Sequence, residues 1–299
     1  MNPSINNPHD MFFKTVMQEI DVAKNILLAI LPTKILKLII IDSLQQIDAN
    51  FVSDELKETF SDVIFTVKLK NGKEAFITFL LEHKSHPDIF TAIQLLYYLA
   101  TGYYKQYKND KKLQVIVPLL FYHGKEKWEY KSLDKVFENI PDELKKFIPA
   151  FDTVFLDLAD FSDNQLEALE NSLITAVLML QKYALKPDEL VKKLHLIFSK
   201  MNSVKDKRNF FHKIIVYSLQ LLDEEKVEKT IKELPVTLKN EVMTAYESLI
   251  EKGKNQAKIQ TIIKGHNAGI AINLLSNLTD LTEEEIKKII KEHSSKDLS

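Results

Sequence analysis

Asp62, Glu82 and Lys84 are the residues whose types and spacing suggest chemistry. Phe60 to Lys84 reads as two strands rich in β-branched and aromatic residues, joined at Asn71-Gly72, a strong hairpin signal. Asp62 stands where the first strand begins, and Glu82 and Lys84 stand where the second ends. Ionisable groups at the open end of an apolar hairpin are costly unless something pairs with them or binds there. The expectation is a divalent metal ion held by Asp62 and Glu82. Two carboxylates suit Mg²⁺, a hard cation that prefers oxygen ligands and retains several waters, with Mn²⁺ or Ca²⁺ as alternatives. Such an ion acidifies a bound water and polarises a phosphate, and a lysine can orient that water or stabilise charge on the phosphate. The same residues also fit a plainer arrangement, in which Glu82 and Lys84 form a solvated edge pair and Asp62 caps a turn.

Strand alternation puts Glu82 and Lys84 on one face and His83 on the other. Asp62 joins that face only in certain registers. A two-residue Asn-Gly turn would pair Lys70 with Lys73 and send Asp62 to the wrong face. A three-residue loop with Gly72 in a G1 bulge pairs Leu69 with Lys73, sets Asp62 opposite Leu80, and leaves Glu82 diagonal to it at roughly 7 Å. The bulged loop is therefore expected. The backbone carbonyl of Leu81 or His83 is an additional candidate ligand. His86 and His123 are weaker candidates, and a zinc site would need a second histidine close to His123.

The elements that must position these residues follow from periodicity. Pro8 opens a helix with Asp10 in its first turn and Lys14 beyond, continuing in apolar spacing to Pro32. Residues 33–41 look helical, and 44–59 are ambiguous. After the hairpin, Ile89 to Tyr107 reads as a long amphipathic helix in which Gln94 and Tyr98 share a face and could support the site. Lys105, Lys108, Lys111 and Lys112 follow its tyrosines and form a candidate DNA-backbone contact. Gln114 to Tyr122 reads as a strand covered on both faces, 136–147 as helix, and 153–158 as a short strand. From Phe161 onward the pattern is helical, in segments near 163–182, 187–200, 206–222, 224–233 and 237–265. Two short helices then flank residues 279–282, where Thr282 to Glu285 forms a capping box. The expected organisation is a core over 1–160, a helical region over 161–265, and a small helix pair over 266–299.

The chain has 299 residues, 45% apolar and 27% charged, as is ordinary for a globular protein large enough to bury a substantial core. Its net charge of −2 confines any nucleic-acid surface to a local patch. Zero cysteines exclude disulfides and thiolate metal sites and fit a reducing cytosol, so a cytoplasmic location is expected. The start carries no signal-peptide pattern, and the longest apolar runs are far too short to span a bilayer, so no membrane partner is expected.

Asp62 followed by Glu82-His-Lys84 matches the acidic pair and lysine of the PD-(D/E)XK nuclease core, and Gln94-x-x-x-Tyr98 matches a spacing seen in some of those nucleases. Pro8-His-Asp-Met-Phe-Phe-Lys14, Phe60-Ser-Asp-Val63, Leu81-Glu-His-Lys-Ser85 and Val117-Pro-Leu-Leu-Phe-Tyr-His-Gly124, in this order, resemble the Rpn family. These are recombination-promoting nucleases of the PD-(D/E)XK superfamily, also grouped as YhgA-like putative transposases. The resemblance spans about residues 7 to 160 and implies a restriction-endonuclease-like α/β core, a mixed sheet flanked by helices, followed by an all-helical C-terminal region. It implies metal-dependent DNA endonuclease activity of low sequence specificity, tied to recombination or mobile elements, with Asp62, Glu82 and Lys84 catalytic. Many relatives carry Gln at the place of Lys84, and others carry Arg at the place of Gln94. Asp10 matches the opening motif, as a supporting residue or as part of helix packing. The rival reading is a vestigial nuclease fold that binds DNA or acts as a scaffold, with the helical C-terminal region mediating homo-oligomerisation.

Overall fold

A computed structural model describes residues 8–47, 63–71, 76–109, 113–202 and 208–294. Two compact units divide it, Met1–Leu234 and Pro235–Ser299.

The first unit is built on a five-stranded mixed sheet in the order β1-β2-β3-β4-β5. Its strands are β1 (Ile39–Ile47), β2 (Val63–Leu69), β3 (Phe76–Lys84), β4 (Val115–Tyr122) and β5 (Val154–Asp157). The first three run as an antiparallel meander, and β4 and β5 lie parallel to β3. A parallel neighbour requires a crossover, supplied between β3 and β4 by a long helix, Thr91–Lys108. In β2, Val63, Ile64, Phe65 and Val67 are all buried, so both faces of the sheet are covered there.

Helices α1 (Pro8–Met17) and α2 (Ile20–Ile30) precede the sheet. Phe13 of α1 stacks on Phe121 of β4 at 5.1 Å, which assigns α1 to the face carrying the odd-numbered residues of that strand. After α3 (Thr33–Leu36), the crossover helix is α4 (Thr91–Lys108). It packs Leu95, Tyr98 and Leu99 against Ile64 and Ile116, on the opposite face. Gln106 satisfies the incoming backbone of β4, its Oε1 accepting from Gln114 N at 2.6 Å. The sheet is therefore the middle of three layers.

The segment 33–41 departs from the expectation of a helix. Thr33–Leu36 makes one turn of helix, and Ile39 begins a strand that pairs with Leu69. The run Ile39-Ile40-Ile41 is β-branched, and an open edge on β2 offers its backbone a ladder that an isolated helix cannot match. Residues 136–147 likewise break into α5 (Leu133–Val136) and α6 (Asp142–Lys145), because Pro141 caps the second and cannot continue the first. The remaining helices of this unit among the described residues are α7 (Asp163–Glu167), α8 (Ser172–Tyr183), α9 (Pro187–Asn202), α10 (Arg208–Gln220) and α11 (Glu224–Glu233). Asn171 interrupts the expected 163–182 helix by capping α8, its Oδ1 accepting from Leu173 N and Ile174 N.

The second unit comprises α12 (Val236–Asn267), α13 (Ile272–Thr279) and α14 (Glu283–Ser294) around Ile262, Leu275 and Ile286. Gly265 admits Leu275 where any Cβ would collide with that side chain. The capping box at α14 forms as expected: Glu285 N donates to Thr282 Oγ1 at 3.3 Å, and Thr282 N donates to Glu285 Oε2 at 2.9 Å. The architecture is thus an α/β core with a mixed sheet between helices, followed, among the described residues, by helices alone.

Candidate functional site

The register of β2 against β3 decides which residues share a face at the carboxyl end of β3. Val63 pairs with Leu81, Ile64 with Leu80, and Lys68 with Phe76. The expected register set Asp62, not Ile64, opposite Leu80, so the ladder lies two residues from the bulged-loop prediction. A slip of one residue would exchange the faces of every side chain, whereas a slip of two preserves them. Apolar alternation excludes the first and tolerates the second, so the pattern could not set loop length. Glu82 and Lys84 hold register positions on the face of Ile64, the face that α4 covers.

Lys84 is the last residue of β3, across from Tyr122 of β4. Its side chain is 15% exposed, and its ammonium donates to Gln94 Oε1 at 2.8 Å and lies 3.6 Å from Asp88 Oδ2. Gln94 Nε2 in turn donates to the hydroxyl of Tyr98, one helical turn on, whose ring is buried in the layer between α4 and the sheet. The i, i+4 spacing of Gln94 and Tyr98 thus makes one polar chain from the strand end into the first turns of α4. The amide of Gln94 holds the lysine, and the phenol of Tyr98 holds the amide.

Asp88 is the member that sequence reasoning missed as a site residue. Its Oδ1 accepts from Phe90 N at 2.9 Å, fixing the entry to α4, while its other oxygen faces Lys84. The signal was present in the Lys84-Ser-His-Pro-Asp88 spacing, but a residue before a helix reads first as a turn or cap. His86 is exposed beside Ser85 and outside this chain of contacts.

Of the remaining expected residues, Asp62, Lys111 and Lys112 lie outside the described residues. Glu82 occupies β3 opposite Leu120, and Asp10 lies in the first turn of α1. Lys105 and Lys108 lie in the last turn of α4, the latter with its ammonium 5.6 Å from the centre of the Tyr104 ring. They stand several turns from Gln94 along the helix.

His123 continues β4 on the opposite face, and its N–H donates to Lys84 O at 3.1 Å. The structure supplies the second histidine: the His9 ring is centred 5.5 Å from that of His123, and His9 Nδ1 lies 2.6 Å from the Tyr217 hydroxyl. Among the described residues no three His, Cys, Asp or Glu side chains are arranged to hold a metal ion. Asp157, buried in β5, shares the Lys84–Tyr122 row two strands from the lysine. That is roughly 10 Å away at the usual strand spacing, so its carboxylate does not join the lysine. It caps the 3₁₀ turn Leu158–Asp160 through Ala159 N. Burial pushes its carboxyl above the usual range, against the lowering effect of that N–H.

Fold and site together define a mixed α/β protein with a lysine–amide–phenol chain at the carboxyl end of its central strand, beside an acidic register position. Residues 7–210 match the family model "Putative transposase, YhgA-like", and the chain belongs to that family of Rpn-type proteins. It is 29% identical to recombination-promoting nuclease RpnD of Escherichia coli O157:H7, over 62% of this chain and 72% of that protein. It is 25% identical to recombination-promoting nuclease RpnA of Escherichia coli K12, over 94% of this chain and 96% of that one. Similarity of the same order, 24% over 94% of this chain and 97% of the relative, extends to the inactive recombination-promoting nuclease-like protein RpnE of that strain. No solved structure matches the chain. Among the described residues no helix is long and apolar enough to cross a membrane.

Proposed function

We propose that the protein is a metal-dependent deoxyribonuclease of the PD-(D/E)XK type, cutting phosphodiester bonds in DNA with low sequence specificity in a recombination-linked role. The carrying observation is the Lys84 ammonium, held by Gln94 Oε1 on the face that also bears the Glu82 position. The meander β1-β2-β3, the crossover α4 and the parallel β4 support a restriction-endonuclease-like reading of the core. The nuclease names of RpnD and RpnA support DNA as the substrate.

Asp62 and Glu82 would hold Mg²⁺, or Mn²⁺ or Ca²⁺ in its place, with the Leu81 or His83 carbonyl as a further oxygen ligand. When bound, the ion would supply Lewis-acid polarisation of the phosphate and a more acidic water. Lys84 would stabilise negative charge building on the phosphate oxygens, its position fixed before substrate arrives. Gln94 and Tyr98 would hold the ammonium in place, and Asp88 would draw it toward α4 between turnovers.

The name of RpnE favours one rival, a catalytically vestigial fold that binds DNA or a partner. Plasmid nicking by the pure protein separates them. Cleavage with Mg²⁺, Mn²⁺ or Ca²⁺ should vanish in EDTA and in Asp62→Ala and Glu82→Ala. Nicking that survives EDTA and both substitutions, or no nicking with any of the three ions, overturns the nuclease reading.

A further inference from the structure

Helix α4 has a face that the site does not use. Leu95, Tyr98 and Leu99 go inward, yet Phe90 at its N-cap and Tyr97, Tyr104 and Tyr107 are 64%, 51%, 57% and 69% exposed. Steps of seven residues bring a helix back to nearly the same direction, so Phe90, Tyr97 and Tyr104 form one stripe, with Tyr107 a turn beyond Tyr104. Large exposed aromatics scattered singly need no explanation, but four along one helix form a patch of the kind that marks a binding surface.

Charge indicates what would bind there. From Ile89 to Asn109 the sequence holds no acidic residue, while Lys105 and Lys108 close the helix. The Lys108 ammonium, 5.6 Å from the centre of the Tyr104 ring, puts cation and aromatic together. At the other end the stripe adjoins the site: the Tyr97 ring is centred 6.3 Å from that of Tyr98, which Gln94 links to Lys84. Along the helix Gln94, Thr101, Lys105 and Lys108 run beside the aromatic stripe at spacings of seven, four and three residues. A polar, cationic line thus parallels an aromatic one.

We propose that this face of α4 is a track for single-stranded nucleic acid leading to the site, with bases stacked on Tyr97, Tyr104 and Tyr107 and phosphates along Lys105 and Lys108. The inference rests on the nuclease reading for its occupant. Stacking needs bases whose flat faces are open, which a duplex does not offer. From Phe90 to Tyr107 the helix covers about 25 Å, on the order of four or more nucleotides, at the low end of single-strand site sizes. A second copy meeting this face with its own suits it less well, because from Ile89 to Asn109 each copy would bring lysines and no acid.

The test is fluorescence anisotropy with the full chain in EDTA, so that nothing is cut, using a labelled oligothymidine of about 16 nucleotides and a duplex of the same length. The single strand should bind at least about tenfold tighter. The double variant Tyr97→Ala with Tyr104→Ala should lose about tenfold or more, and the corresponding double Trp variant should recover most of it. Lys105→Gln with Lys108→Gln should flatten the salt dependence by roughly one unit of log–log slope. Equal affinity for duplex, or unchanged binding in the double Ala variant, overturns the track. So does a dimer that becomes a monomer in that variant, which would make the stripe a contact between copies. Asp62-dependent nicking alongside unaltered binding in the Ala variant would sink the track and leave the nuclease standing. Aromatic-dependent binding without nicking would do the reverse.

Discussion

Lys84→Met separates a lysine kept for chemistry from one kept for stability. The ammonium lies 3.6 Å from Asp88 Oδ2, a gross attraction of about 4–5 kcal/mol at an effective dielectric constant near 20. Its hydrogen bond to Gln94 Oε1 adds roughly 1.5–3 kcal/mol as a charge-assisted bond. Against these stands the desolvation of an ammonium whose side chain is left 15% exposed, several kcal/mol in a protein interior. The terms nearly cancel, and Met retains most of the apolar stem. The expected change in unfolding free energy is therefore within about 1 kcal/mol, read by urea titration with an unchanged m-value. If the lysine stabilises charge on the phosphate, its loss should lower the single-turnover nicking rate by about 10²–10³, the scale on which a preorganised donor acts. A fall of more than about 2 kcal/mol in stability, with nicking within threefold of the parent, would refute the reasoning. The lysine would then be a structural tie between β3 and the entry to α4.

Other outcomes follow from the same contacts. Tyr98→Phe removes only the hydroxyl that accepts from Gln94 Nε2, and should cost about 0.5–1.5 kcal/mol by thermal unfolding while slowing nicking severalfold through a looser Lys84. Gly124→Ala should destabilise by roughly 1–3 kcal/mol in chemical denaturation, because a Cβ there would overlap the buried Tyr122 ring, whose hydroxyl is tied to Glu126 O at 2.6 Å. Burial alone would push Asp163 up, but hydrogen bonds from Lys182, Lys193 and Tyr183 outweigh it and hold the carboxyl well below the usual range. A lowered folded pKa contributes stability that is full above the unfolded value near 4 and is lost as pH falls through the folded one. Asp163→Asn should thus cost about 1–3 kcal/mol at pH 7 and flatten the loss of stability measured below about pH 4.

The sequence alone settled much of this protein, because a helix or strand with one covered side writes its period into the chain. Composition and spacing read Ile89 to Tyr107 as a helix with Gln94 and Tyr98 on one face and Gln114 to Tyr122 as a covered strand, and the structure has them as Thr91–Lys108 and Val115–Tyr122. The four motifs alone place the chain in its family, and the residue types at 62, 82 and 84 name the chemistry expected there. Asp62 rests on the sequence still, lying outside the described residues. What the sequence could not carry was anything set by a partner distant in the chain. Ile39 to Ile47 became a strand because β2 offered an edge to its β-branched start, a partner that lies outside that stretch. The hairpin register fell two residues away from the best-looking turn, since alternation distinguishes odd slips from even ones and is blind between even ones. The same limit hid the meeting of His9 with His123 and Tyr217, residues 114 and 208 positions away from it, which only the packing of α1 against the sheet and α10 brings together. Period and composition decide what each segment buries; which segments meet, and in what register, is decided by the sum of contacts over the whole fold.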